Sequence, residues 1–243
     1  MWPAARAGHA RFAIGVLYAG TSGFSYPAWR GAFYPERLPA GQMLSYYAAR
    51  LNGVELNNTF YRMPRPEMLA AWVDATGADF RFSLKAHRGL TYSGPGFDRV
   101  GFAREFGTHV AALGVRAGPV LLQFPPGRER DVGLLDALLE ALGCAAAVEF
   151  RNDSWLTQEV EQVVTRRGGA VVVTDADGWP MASPAAGAKF AYYRLRRRYD
   201  DAALASWAER IRAVRDRRCE VHVYFKHEAE GPDRALALLG MTG

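Results

Sequence analysis

Ala145-Ala146-Ala147-Val148-Glu149-Phe150-Arg151 is a short apolar run that ends, without an intervening turn, in two opposite charges. With a strand's period of two, Glu149 and Arg151 share one face and Val148 and Phe150 the other. Seven other stretches end in the same way. Val16–Gly20 runs into Thr21-Ser22, Val54 into Glu55 and Asn57, and Phe80–Leu84 into Lys85. Val120–Leu122 runs into Gln123 and Val171–Val173 into Asp175. Phe190–Tyr193 runs into Arg194 and Arg196, and Val221–Phe225 into Lys226 and His227. Eight strands alternating with helices predict a single TIM-like (β/α)8 barrel, whose site lies at the C-terminal strand ends; strand count alone does not prove closure and leaves an open doubly wound sheet as the alternative.

The 243 residues match one barrel of about 250. Apolar periodicity predicts helices over residues 42–51, 65–75, 102–113, 131–142, 156–167, 202–215 and 232–239. Residues 176–189 contain Gly178, Pro180, Pro184 and Gly187, so the sixth unit is expected to lack a regular helix. No linker or low-complexity tract divides the chain, giving a flexible N-terminal tail over residues 1–14 and one barrel domain over 15–243. No apolar run reaches the length of a membrane span. The first residues make a poor secretory signal. Cys144 and Cys219 show no zinc-site spacing and read as reduced thiols of a cytoplasmic protein.

Parity places the polar residues. Glu55 with Asn57, Ser83 with Lys85, Tyr192 with Arg194 and Arg196, and His222 with Tyr224 and Lys226 each share a face opposite apolar neighbours. The apolar face packs on helices, so the polar set points inward and converges at the mouth. That set holds five cations, Lys85, Arg151, Arg194, Arg196 and Lys226, against Glu55, Glu149 and Asp175. Buried charges either pair with one another or meet a ligand. Internal ion pairs that merely fill the barrel are one reading; an anionic ligand that takes up the cationic surplus is the other.

The motifs resemble a known family. Gly20-Thr21-Ser22-Gly23-Phe24-Ser25-Tyr26, with Trp29-Arg30-Gly31 and Phe33-Tyr34-Pro35, is similar to the opening signature of the YecE-like proteins, called domain of unknown function 72. Val54-Glu55-Leu56-Asn57-Asn58-Thr59-Phe60-Tyr61, Phe82-Ser83-Leu84-Lys85, Leu122-Gln123-Phe124-Pro125-Pro126, Glu149-Phe150-Arg151, Tyr193-Arg194-Leu195-Arg196 and Tyr224-Phe225-Lys226-His227 extend it along the chain. The resemblance implies a TIM-like barrel and brings no established reaction. Thr91-Tyr92 stands where many members carry Thr-His, and Lys226-His227 where many carry paired asparagines.

Two functional classes follow. In the first, the chain is an enzyme acting on a small anionic metabolite, phosphorylated or sugar-like, by hydrolysis, isomerisation or lyase chemistry. Glu149, Lys85 and Glu55 are the catalytic candidates: Glu149 as general base beside Arg151, and Lys85 as phosphate anchor or Schiff-base nucleophile. Ser22, Asn57, Gln123, Arg151, Arg194, Tyr224 and Lys226 are the substrate-binding candidates. In the second, the run Arg194–Arg198 and the aromatic loops at Phe24–Tyr34 and Phe60-Tyr61 bind nucleic acid. No nucleotide-cofactor fingerprint is present. A metal on Glu55, Glu149, Asp175 and His227 has no supporting ligand spacing.

Overall fold

In the computed structural model, which describes residues 15–94, 96–184, 187–217, 220–226 and 229–242, strands and helices alternate almost throughout. The strands are β1 (Leu17–Ser22), β2 (Gly53–Leu56), β3 (Arg81–Leu84), β4 (Val120–Phe124), β5 (Ala146–Phe150), β6 (Ala170–Val171), β7 (Val173–Asp175), β8 (Phe190–Leu195) and β9 (Glu220–Phe225). The helices are α1 (Met43–Ala48), α2 (Pro66–Asp74), α3 (Gly89–Tyr92), α4 (Arg99–Ala111), α5 (Val132–Leu142), α6 (Gln158–Arg166), α7 (Asp201–Arg215) and α8 (Gly231–Thr242). The reading of residues 1–14 as a tail, and of Cys219 and His227, falls outside the described residues.

Local chemistry sets the helix ends. The Asp98, Asp131, Thr157 and Asp200 side chains accept from the backbone N–H three residues on, each satisfying a donor that the first turn leaves open. Pro66 opens α2, where its missing N–H costs nothing. Gly143 closes α5 at φ 61°, a left-handed turn that a β-carbon disfavours. Between Asp175 and Phe190 the described residues form no helix.

All strand pairings are parallel and fall into two sheets, ordered β3-β2-β1-β9-β8-β7 and β4-β5-β6. The ladder is therefore not continuous around all the strands, as a closed barrel requires. At one seam, β3 and β4 meet through isolated bridges, Phe82 to Ala117 and Lys85 to Leu121. Backbone bonds from Gly118 N to Phe82 O and from Ala86 N to Leu121 O cross it, both 2.9 Å. Pro119, between them, has no N–H to add. At the other seam, β6 and β7 are one strand interrupted at Val172. Its first part pairs with β5 and its second with β8.

The core has two layers. One joins the strands to the helices; α5 contributes Leu135, Leu138, Leu139 and Leu142. The second is an inner cluster of Leu121, Ala147, Ala170, Val172, Phe190, Tyr192 and Tyr224, drawn from both sheets. Half-buried Cys144 is a free thiol, and burial pushes it up to about 11. No described helix is long and apolar enough to cross a membrane.

Helix packing makes a test with opposite signs. A β-carbon on Gly107 of α4 would sit 2.1 Å from the Leu142 carbonyl oxygen, whereas one on Gly240 of α8 meets nothing within 4 Å. In urea unfolding, Gly107→Ala is expected to lose about 1–3 kcal/mol through overpacking. Gly240→Ala is expected to gain up to about 1 kcal/mol from helix propensity alone. Equal effects of the two would contradict the α4–α5 contact.

Candidate functional site

The site is built around Arg194. Strand register brings its partners to one level: Glu55 lies opposite Ser22 and Ser83, Gln123 opposite Glu149, and Arg194 opposite both Thr174 and Tyr224. Arg194 Nε donates to Glu55 Oε2 at 2.9 Å and Nη2 to Oε1 at 2.8 Å, a two-pronged pair. Arg194 Nη1 donates to Glu149 Oε2 at 2.5 Å. Ser22 Oγ and Tyr192 OH donate to Glu55 at 2.5 and 2.9 Å. Thr174 Oγ1 donates to Glu149 at 3.0 Å. Glu55, Glu149 and Arg194 are all buried.

The second tier lies nearer solvent. Arg151 Nε donates to Glu149 Oε1 at 3.1 Å, and its Nη2 donates to Gln123 Oε1 at 2.8 Å. Gln123 Nε2 donates to Tyr92 OH at 3.2 Å. Asn57 Nδ2 donates to Ser22 Oγ at 2.7 Å. Lys85 Nζ lies 4.0 Å from the centre of the Phe60 ring. The guanidinium groups of Arg151 and Arg196 both lie over Trp179, at 3.7 and 4.6 Å. A cavity of about 590 Å³ borders this stack, lined by Arg151, Asn152, Asp153, Gly178, Trp179 and Pro180.

Charge is unevenly satisfied. Burial alone would raise both carboxyls, but Arg194 outweighs it; Glu55 is held below its ordinary value and Glu149 is held at about 2. Both are therefore fixed as anions. Lys85, Arg196 and Lys226 have no carboxylate partner among the described residues. Burial, reinforced by Arg194, brings Lys85 down to about 8 and Arg196 to about 10. Partial burial and the charges of Arg196 and Arg194 lower Lys226 as well.

Of the residues singled out from sequence, Glu55, Glu149, Arg151, Arg194, Gln123, Ser22 and Asn57 join one hydrogen-bonded network. Lys85 and Lys226 feel its charges. Tyr224 sits deeper, bonded to Ser83 Oγ at 3.0 Å and His222 Nδ1 at 3.2 Å. Ser22, Gln123, Arg194 and Tyr224 are all buried beneath the surface.

Asp175 departs from the expected inward set. Thr174 takes the inward position, and Asp175 accepts from Tyr199 OH at 2.8 Å and pairs with Arg197 at 3.2 Å. The inner charges are thus five cations around two carboxylates. The first aromatic loop is packing rather than platform: buried Trp29 packs on Phe33 and Tyr34, Phe33 meets Tyr46 and Tyr47, and Tyr34 meets Tyr46. Among the described residues, no group of three His, Cys, Asp or Glu side chains is arranged to hold a metal.

Tyr192, Thr174 and Trp179 were not singled out from sequence as site residues. Tyr192 shares a face with Arg194, so parity carried a signal for it. Trp179 lies in an irregular loop, where no period places a side chain.

Comparison with known proteins agrees with these motifs. The family model for "protein of unknown function DUF72" matches residues 18–243. YecE of Escherichia coli (strain K12), a UPF0759 protein, is 29% identical over 156 residues, covering 63% of this chain and 55% of YecE. The match thus spans little more than half of that relative's length. The crystal structure of a DUF72 family protein of Thermotoga maritima superposes with a TM-score of 0.82 at 28% identity, covering 93% of this chain and 98% of that one. One from Enterococcus faecalis, 19% identical, shares the fold at a TM-score of 0.73 with the same coverage. The chain belongs to the DUF72 family.

Removing the central cation tests the network. Arg194→Met leaves two buried carboxylates without their main partner and is expected to cost about 3–5 kcal/mol in urea unfolding near neutral pH. The pH dependence follows from the direction of the shifts. In the wild type, Glu149 contributes stability above its unfolded value of about 4.3 and loses it as pH falls toward about 2. In Arg194→Met, burial instead raises the carboxyls, so the variant's deficit should shrink on acidification. A deficit that stays constant from neutral pH to about pH 4 would rule out charge burial as its cause.

Proposed function

We propose that the two sheets complete a TIM-like barrel whose mouth is the active site of an enzyme acting on a small anionic metabolite. Three features support the barrel: the backbone bonds across the β3–β4 seam, the single strand shared between the sheets at Val172, and the inner cluster fed by both sheets. One observation carries the ligand reading. Lys85, Arg196 and Lys226 gather at the mouth with no described carboxylate partner, while the two available carboxylates are already taken by Arg194 and Arg151. An anion relieves that mutual repulsion, and a phosphate or carboxylate matches the planar donors of Arg151 and Arg196.

In this reading Glu55 and Glu149 orient Arg194 and fix the local field. Ser22 braces Glu55, Gln123 braces Arg151, and Tyr224 packs on Tyr192 beneath them. Lys85, Arg151, Arg196, Lys226 and Asn57 meet the ligand. Glu149, held at about 2, is a weak base near neutral pH, so proton transfer falls to Lys85, at about 8. A cytoplasmic setting belongs to the same reading, with Cys144 as a reduced thiol.

Nucleic acid is the second reading. In its favour, exposed Tyr61, with Arg62 and Arg65, lines a cavity of about 620 Å³. Against it, the run Arg194–Arg198 is no free stripe: Arg194 is buried, and Arg197 is paired with Asp175 and Asp177.

Inorganic phosphate is the simplest probe. It is expected to raise the melting temperature at constant ionic strength, with chloride ineffective. Arg196→Met and Lys226→Met should each weaken the effect about tenfold or more, the loss of one charged hydrogen bond. Single-stranded DNA binding that weakens steeply with added salt, with no phosphate effect, would favour the second reading.

A further inference from the structure

We propose that Lys85 is an imine-forming nucleophile, and that the substrate class is an aldehyde or ketone carrying a carboxylate or phosphate. The inference rests on the anion site proposed above and adds the electrophile that the site would take. The geometry that carries it is an amine without a polar partner, carried by a strand end whose backbone is fixed on three sides. Lys85 Nζ has neither a hydrogen-bond acceptor nor a carboxylate partner among the described residues, and it lies 4.0 Å from the centre of the Phe60 ring. Its backbone is pinned on three sides: its N–H donates to Leu56 O at 2.9 Å, its carbonyl accepts from Thr59 Oγ1 at 2.7 Å, and the next N–H donates to Leu121 O at 2.9 Å. The strand end that carries the amine is thus fixed, and the amine lies within reach of the charges of Arg194, Glu55, Glu149 and Arg151, where a bound carbonyl would meet it.

The charged groups around it come from two further elements besides β2. Glu55 stands on β2, Glu149 and Arg151 at β5, and Arg194 on β8. Because Arg194 holds both carboxylates, neither carboxylate salt-bridges the ammonium. Burial and the arginines favour the neutral amine, with Lys85 at about 8. The same arginines attract the anionic arm of the substrate and leave its carbonyl to the amine.

The step is balanced as follows. The Nζ lone pair attacks the carbonyl carbon, and a proton passes from nitrogen to the former carbonyl oxygen to give a carbinolamine. The C–O bond then breaks with loss of water, leaving C=N. Protonated, this bond draws electrons from an adjacent C–H or C–C bond, which fits isomerase or lyase chemistry.

The chain's three lysines make the test clean. Full-length protein is incubated with pyruvate, glyoxylate or dihydroxyacetone phosphate, reduced with cyanoborohydride and mapped by peptide mass spectrometry. Reduction converts the imine to a stable secondary amine. Label is expected on Lys85. Near pH 7.5 an amine at about 8 has a free fraction on the order of a hundredfold that of a lysine in a model peptide, so label should concentrate on Lys85. Labelling should rise as pH approaches about 8 and then level off. Neutral acetone should label far less.

Lys85→Arg, which keeps the charge and removes the nucleophile, should abolish the adduct. Wild-type mapping decides the matter even if that variant is unstable. Label spread evenly over Lys189, Lys226 and the N-terminus, or no label in protein that phosphate still protects, overturns the imine and leaves the anion site standing. Neither label nor phosphate protection overturns both.

Discussion

One guanidinium, that of Arg194, holds the mouth together. It comes from β8 and grips Glu55 of β2 with two donors and Glu149 of β5 with a third. Glu55 belongs to the larger sheet and Glu149 to the smaller, so the ion pair also ties the sheets where their ladder is interrupted. Such a triad is not a cheap source of stability, since removing three charges from water offsets much of their attraction. Its value is geometric. Arginine's fixed fork sets the spacing of two strand ends, and Tyr192, Ser22, Thr174 and Arg151 donate to the same two carboxylates.

Everything above the triad follows from that arrangement. Both carboxylates are committed to arginine, so the lysines and the outer arginine meet a mouth whose negative charge is already spoken for. Arg151 belongs to both tiers, touching Glu149 below and Trp179 above. The indole faces make up in part for the missing counter-charge, since an aromatic face attracts a cation without neutralising it. Phe60 does the same for Lys85.

Much of this was legible in the sequence because charge and period agree in most strands. In β2, β5, β8 and β9 the polar residues alternate with apolar ones, so parity alone turns Glu55, Glu149 and Arg194 to the same inner face. The sixth strand was different. Val171, Val172 and Val173 are apolar on both faces, leaving no alternation to read, and Asp175 was assigned inward where Thr174 in fact points. The interruption at Val172 was hidden for the same reason, since a change of pairing partner leaves no mark on hydropathy. Trp179 was illegible because loop side chains are aimed by tertiary contacts. The aromatics after β1 signalled a structured segment, but composition does not distinguish a ligand platform from a small core.

The order of strands also bears on how the chain acquires its shape. The smaller sheet is built from consecutive units, β4 to β6, with α5 and α6 between them, so its contacts are local and can form while synthesis continues. The larger sheet cannot. β1 pairs with β9 from Leu17–Val221 to Thr21–Phe225, joining the two ends of the described chain. Its loop-closure entropy is met only after nearly every residue has been made. Glu149 on the early sheet must therefore wait for Arg194 and Glu55. The charged centre closes late, after the segment from β4 to β6 that carries Glu149 has been made.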